Sequence, residues 1–527
     1  MRKLIFRIHM LSLAIFCGLI LALASCASED VVQNGAGTAD DKNLTIFSTG
    51  EDPATRTTME SNGAFYWEAG DKIWVKDDNG AWQQSRNAPT EKTASFKFEV
   101  PGKFTKTTTY KVYYPGQNGN QNQVTIAANQ SQAMPNTTAH FGTSGDCGMA
   151  DAAWSNTKNG FAFTLDHKAA YLLFLPRTSN TILHDCYLTK VEVNSDNDIT
   201  STYTLDPTTG KLTGTGTGKQ IIVSTGGSGT YVNGFPLTNN ATSAATNGAY
   251  VVIKPGTHIL KVRYWVKDVA TGTEGTITKT LSSASYDQNK YYNITANLDV
   301  KNYDGDKYYM WDAQDQFWKG HEWNHSGSQP TLSQGLPGAT TSSDYPKSGD
   351  TRFWNAANPG FGVSNPATHT SFDNIPNANE MSWYAMYGDP RLDSDELWTT
   401  MGHLYKGGMW FKKKSVLQAE NHYDTEKSAD NITDLRTTYK NYSNSNSSIM
   451  GSGLPSAADA NNYFYLPALG CYYSGQLNNV GNFGLYWSSS AHPGLSGYAY
   501  YLSFTFGYIN VYDAPCDFGY RAEALFE

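Results

Sequence analysis

His321-Glu322-Trp323-Asn324-His325 is the stretch of this chain that comes closest to a reaction centre. On a helix, histidines four apart share one face and can bind zinc, and the glutamate beside the metal serves as general base. A working site of this kind needs a long helix and a third ligand downstream. Here Gly320 directly precedes His321, and Ser326-Gly327-Ser328-Gln329-Pro330 directly follows His325. A helix begun at Ala313 would carry that glycine, costing about 1 kcal/mol, and would end on its second ligand. Glu380 could supply a third ligand, but nothing in its setting selects it. The stretch is therefore read as a loop near a binding surface, with a zinc metallopeptidase on His321, Glu322 and His325 as an alternative. A second polar group, Asp389, Asp393, Asp395 and Glu396, could hold Ca2+ through hard oxygens. Helix N-termini attract carboxylates without any metal, so no cofactor is expected.

The elements around these residues read mainly as strands. Charged residues are only 17% of the 527, while Gly (48), Tyr (34) and Trp (13) are abundant, a mixture that suits β-rich modules with many turns. The length calls for several domains. A net charge of -9 leaves no basic stripe to displace counterions from phosphates, so no nucleic-acid partner is expected. Strands are expected at Leu44–Ser48, Ser95–Val100, Thr109–Tyr114, Gln123–Ile126 and Gly160–Leu165, a spacing that points to an antiparallel sandwich. A second set runs from Ala170–Leu175 to Tyr291–Leu298, with "GTHILKVRYWV" the clearest alternation. "LDPTTGKLTGTGTGK" is a hairpin loop whose glycines lack the strand-loop-helix setting of a phosphate site.

Met1-Arg2-Lys3, the apolar run from Leu11 to Ala24 and the small residues before Cys26 read as a cleaved secretory signal over residues 1–25. The junction resembles the bacterial lipoprotein signal, which implies lipid on Cys26; plain secretion is the alternative. Ser28-Glu29-Asp30 resembles the acidic tag that sends Bacteroidales lipoproteins to the outer face of the outer membrane. Removing Arg2, Lys3 and Arg7 takes the charge from -9 to -12. Residues 26–42 are a small, polar tether. Of the remaining cysteines, Cys147 with Cys186 and Cys471 with Cys516 are the candidate pairs in an oxidising compartment. Free buried thiols are the other reading.

The lipoprotein junction, the early strand, Thr55-Arg56, "WEAGDKIWV" and "YDQNKYYNITANLDV" together resemble the fimbrillins of Bacteroidales over roughly residues 26–300. That resemblance implies two transthyretin-like β-sandwiches, 43–168 and 169–301, and assembly into pili. It also implies proteolysis after a basic residue behind the first strand, which Arg56 matches, and replacement of that strand by one from another subunit. An exposed loop arginine without processing is the plain alternative.

Beyond residue 300 the composition changes, and eight of the thirteen tryptophans lie there. Helices are expected over "NANEMSWYAMYGDP", with Asn377 and Glu380 at capping-box spacing, and over "DSDELWTTMGHLYKGG". Leu466-Pro467-Ala468, Tyr486-Trp487-Ser488-Ser489-Ser490 and Gly519-Tyr520-Arg521 resemble a C-terminal module of bacterial surface proteins, the major paralogous or DUF1566-like type. This implies an α+β, C-type-lectin-like domain over 302–527 whose terminal strands, Lys307–Trp311 and Arg521–Phe526, pair. Trp318, Trp323, Trp354 and Tyr473 are candidate ligand contacts, whereas Trp383, Trp398 and Trp487 read as core. The expected role is a pilus component, a tip adhesin at the outer-membrane surface. Its partners would be other pilin subunits and a glycan or protein of host or microbe. A stand-alone, membrane-tethered binding protein is the alternative.

Overall fold

Alternating apolar and polar residues become strands along most of the chain, and the protein is mainly β. The computed structural model describes residues 44–49, 58–59, 65–269, 272–324, 344–355, 366–447, 449 and 453–526, and those from Thr45 onward form one unit. The first sheet holds β1 (Leu44–Thr49), β2 (Trp74–Lys76), β3 (Trp82–Gln84), β4 (Lys97–Pro101), β5 (Tyr110–Tyr114), β6 (Gly148–Ser155) and β7 (Gly160–Phe163). Their order is β3-β2-β5-β6-β7-β1-β4, over a core that includes Trp67, Ile73, Phe98, Val112 and Phe161.

Next come β8 (Ala170–Arg177), β9 (Cys186–Ser195), β10 (Gln220–Thr225), β11 (Ala249–Ile253), β12 (Leu260–Asp268), β13 (Glu274–Thr280) and β14 (Tyr291–Asn297). Strands β11, β8 and β14 form a three-stranded sheet, and the others belong to a larger sheet across a shared apolar core. Gln123–Ile126 pairs with Ser201–Leu205, and Asn129–Gln132 pairs with β10, so this stretch joins the second core. The antiparallel expectation needs correction. β1 runs parallel to β7, β8 to β14, and β10 to Asn129–Gln132. These partners are far apart in sequence, and the long connections remove the constraint that makes hairpins antiparallel.

The remaining chain forms β15 (Tyr308–Tyr309), α1 (Ala378–Tyr387), β16 (Arg391–Thr400), β17 (His403–Lys412), β18 (Tyr463–Pro467), β19 (Gly484–Ala491), β20 (Tyr498–Phe504), β21 (Ile509–Pro515) and β22 (Tyr520–Arg521). The first expected helix is α1, and both bonds of its capping box are present. The Asn377 carboxamide accepts from Glu380 N at 3.0 Å, and Glu380 Oε2 accepts from Asn377 N at 2.8 Å. β15 and β22 pair, with Tyr308 opposite Arg521 and Tyr309 opposite Tyr520.

The second expected helix is instead the hairpin β16–β17. It turns at Met401 (φ 49°) and Gly402 (φ 74°), two consecutive left-handed residues of the kind a two-residue hairpin requires. Leu397 enters the second sandwich core while its neighbour Trp398 enters the C-terminal core. Adjacent residues that must face opposite ways can do so on a strand and not on a helix.

Strand β16 lies beside β13, so one nine-stranded sheet runs from β18 through β17, β16, β13, β12 and β9 to β10 and beyond. The β13–β16 contact has one backbone register pair, Thr276 with Glu396, and side chains complete it. The Glu396 carboxylate accepts from Thr278 N (2.9 Å), Thr278 Oγ1 (2.6 Å) and Thr276 Oγ1 (3.0 Å). Buried Arg263 donates to buried Asp393 at 3.0 Å, and Trp410 Nε1 donates to the other Asp393 oxygen at 3.0 Å. Lys261 Nζ reaches the Pro455 carbonyl, and desolvation together with Arg263 lowers the ammonium to about 8.

Desolvation of its carboxylate and the charge of Asp393 raise Glu396 from 4.5 to about 7. A raised carboxyl contributes stability that is whole below the unfolded value and is lost as pH rises through the folded one. Thermal unfolding followed between about pH 5 and about pH 8 should therefore show a decline in Tm toward neutrality that Glu396→Gln reduces. Identical slopes in the two proteins would refute this assignment.

Candidate functional site

The feature best built for function is the slot that holds β1. Phe47, fully buried, stacks on Phe161 at 4.9 Å and meets Phe104 edge-on at 5.1 Å and Tyr110 at 6.5 Å. Phe47, Ser48 and Thr49 lie opposite Phe161, Ala162 and Phe163 of β7. On the other side Thr49 N donates to Phe96 O at 3.1 Å, and Phe96 N returns to Thr49 Oγ1 at 2.9 Å. Lys158 Nζ caps the Thr49 carbonyl at 3.0 Å. Gly160 permits the close approach, because a Cβ there would lie 2.6 Å from Ile46 O. One group fits poorly: Ser48 Oγ is buried and has no hydrogen-bond partner among the described residues. The position matching a processing point, Arg56, lies outside the described residues, as do residues 1–43 with Cys26.

Over its described part, His321 to Asn324, the H-E-x-x-H stretch is not helical. Gly320 is left-handed (φ 81°), and His321 N closes a turn on Trp318 O at 2.8 Å. Glu322 Oε1 bends back to accept from Gly320 N at 2.9 Å and from Gln316 Nε2 at 3.2 Å. His321 Nδ1 faces Asp344 at 3.6 Å, and His325 lies outside the described residues. The four acidic residues are engaged separately: Asp389 by Arg391 and Tyr463, Asp393 by Arg263, Asp395 by Lys406, and Glu396 by the threonines of β13. Among the described residues no group of three or more His, Cys, Asp or Glu could hold a metal ion.

The aromatic candidates disperse. Trp318 is 2% exposed, packed by Phe317 and Tyr472, and is core rather than a ligand contact. Trp323 is 37% exposed and lies over the hairpin turn, where a Cβ on Gly402 would be 3.1 Å from the ring. Tyr473 is 54% exposed and rests edge-on against Phe518 at 5.0 Å. Trp354 lines a separate cavity with Phe353 and His369. Trp383, Trp398 and Trp487 are core, as expected.

Cys147, Cys186, Cys471 and Cys516 are buried free thiols, not the pairs Cys147–Cys186 and Cys471–Cys516. Burial raises Cys186 and Cys471 to about 12, and raises Cys147 and Cys516 as well, so the thiolate that disulfide exchange needs is suppressed. Two groups had no sequence signal at all, the orphan hydroxyl of Ser48 and the buried carboxylate of Asp312.

No protein-family model and no curated protein matches the chain. Among solved structures it is similar to a protein assigned to cell adhesion from Bacteroides ovatus, with 14% identity over 49% of this chain and 94% of that one and a TM-score of 0.29. A fimbrial protein from the same species is 10% identical over 90% of this chain and 97% of that one, with a TM-score of 0.28. A fimbrial assembly protein from Parabacteroides distasonis is 12% identical over 48% and 90%, with a TM-score of 0.23. At such scores the likenesses decide neither fold nor family, and the reading below stands on this chain's own geometry. Among the described residues no helix is long and apolar enough to cross a membrane.

Phe47→Ala should destabilise the first sandwich by about 3–5 kcal/mol, read as an earlier denaturant midpoint. Ser48→Ala should do the opposite, raising stability by about 1 kcal/mol because a buried hydroxyl without a partner is removed. A lower midpoint for Ser48→Ala would mean that the hydroxyl is satisfied after all.

Proposed function

We propose that the protein is a fimbrial component at the cell surface, a strand-accepting subunit that ends the fibre and carries an adhesive module over residues 302–527. The observation that carries this reading is the position of β1. It is a six-residue strand inside a sheet rather than at its edge, and the chain leaves it through the segment that contains Arg56. Cleavage after Arg56 would detach β1 and leave β4 and β7 with unpaired backbone beside an aromatic slot. An extended segment from another subunit would restore those bonds by β-augmentation.

The opposite end of the unit supports a terminal role. The edge of β13 is covered by β16 of the same chain, so no strand from outside can pair there. The last strand, β22, is held between β15 and β19, so it is not free to be given to a neighbour. A lipid on Cys26 would tether the protein to the outer membrane, and a glycan or protein of host or microbe would be the adhesive partner. The alternative is a stand-alone tethered binder, which the side-chain-locked β13–β16 contact also suits because it makes the sandwich a firm base for the module.

The test is strand uptake. After cleavage at Arg56 and release of the N-terminal peptide, a synthetic peptide with the C-terminal strand sequence of a fimbrial stalk subunit should bind at one per molecule and restore the Tm. A cut protein that keeps β1 under these conditions, or that refuses the peptide while accepting its own residues 43–55 back, would overturn the fimbrial reading in favour of the stand-alone one.

A further inference from the structure

The C-terminal module holds a cavity that neither strand exchange nor the lipid anchor uses. It measures about 310 Å3, and Gln314, Asp350, Phe353, Trp354, Asn355 and His369 contribute to its lining. One wall depends on Asp312, which is fully buried and sits at φ 52°, a left-handed backbone that a residue with a Cβ adopts only under compensation. The compensation is visible. Its carboxylate accepts from Thr368 N (2.7 Å), His369 N (2.8 Å), Thr368 Oγ1 (3.0 Å) and Asn355 Nδ2 (3.2 Å). Its carbonyl oxygen lies 2.8 Å from His369 Nδ1.

That last contact sets the chemistry of the histidine. A carbonyl can only accept, so Nδ1 carries a proton, and Nε2 is the ring nitrogen left for a ligand. No partner for Nε2 occurs among the described residues. Trp354 rests over Gly497, where a Cβ would lie 3.8 Å from the ring, and Phe353 braces it at 6.1 Å between centroids. An aromatic plate, the Asn355 carboxamide and the His369 ring are thus in position before a ligand arrives, with the exposed Gln314 beside them.

The charges select among ligands. An anion would meet Asp350 and no lysine or arginine among the lining residues. A cation would find only Asp350, which already accepts from Lys347 N at 3.0 Å and lies 3.4 Å from Arg352. A wholly apolar ligand would leave His369 Nε2 and the Asn355 carbonyl oxygen without partners. What remains is a neutral ring with an apolar C–H face and a rim of hydroxyls.

We propose that this cavity binds an uncharged pyranose ring of a glycan, stacked on Trp354, with its hydroxyls bonded to His369 Nε2, Asn355 and Gln314. The site rests on the adhesive half of the function proposed above and is independent of strand exchange. A protein that takes up a donor strand but binds no sugar therefore overturns this site alone.

The full chain, in buffer containing EDTA, is titrated with cellobiose, maltose and N,N'-diacetylchitobiose by calorimetry and by tryptophan fluorescence. At least one should bind with a Kd of about 1 mM. Trp354→Ala should weaken that binding about tenfold or more, Trp354→Phe should retain it within a few-fold, and Trp323→Ala should leave it unchanged. Gln314 is exposed, so Gln314→Ala keeps the fold and should weaken binding several-fold even where Trp354→Ala does not fold. Absence of binding by all three sugars, or binding unaffected by the Trp354 and Gln314 variants, overturns the proposal.

Discussion

The contact between β13 and β16 is the interaction on which the rest of this structure depends. It joins two apolar cores of the one unit, and the two strands share one backbone register pair. Arg263 with Asp393, and Glu396 with Thr276 and Thr278, replace the missing ladder bonds. A buried ion pair of this kind adds little net stability, yet removal of one member leaves the other charge stranded at about 3–5 kcal/mol. Its value lies in specificity: only one register brings Asp393 to Arg263 and Glu396 to the threonines together. The orientation of the C-terminal module on the second sandwich follows from that register.

The two ends of this unit are consequently unlike. At one end β1 occupies an interior slot, held by Phe47 and by bonds from Phe96 and Lys158, with an unsatisfied Ser48 hydroxyl inside. A strand that leaves one buried hydroxyl without a partner is easier to replace than one that fits its slot fully. At the other end the chain covers its own edge with β16, and its last strand is paired inside the module. The β13 edge is thereby closed to strands from outside, whereas the β1 slot opens only if β1 is lost.

Within the module, chemistry follows burial more closely than motif. The described H-E-x-x-H residues follow a left-handed Gly320, and Glu322 there accepts from the backbone beside it. Asp312 belongs to no recognisable pattern, yet it orders Thr368, Asn355 and His369 around a cavity. Buried carboxylates with several donors define geometry strongly, because each donor left unpaired would cost free energy.

The amino-acid sequence alone was enough to determine the local elements. Alternation marked β1, β5 and β12, and the Asn377 and Glu380 spacing marked the start of α1; the pairing of β22 with β15 was implied by the resemblance of the C-terminal segment to a known module. Sequence pattern failed where a residue's environment comes from a distant partner. The stretch around Leu397 and Trp398 read as a helix because the two different cores that these residues enter, one on each side, are invisible locally. Trp318 read as a surface ring because the Tyr472 that covers it lies far along the chain. Likewise, only the tertiary structure decided that β1 is an interior strand, that Trp354 lines a cavity and that the acidic residues near 393 lock two cores together. Periodicity reports which face of an element is apolar; it cannot report what arrives to cover that face, because long-range pairing is settled only when the whole chain has folded.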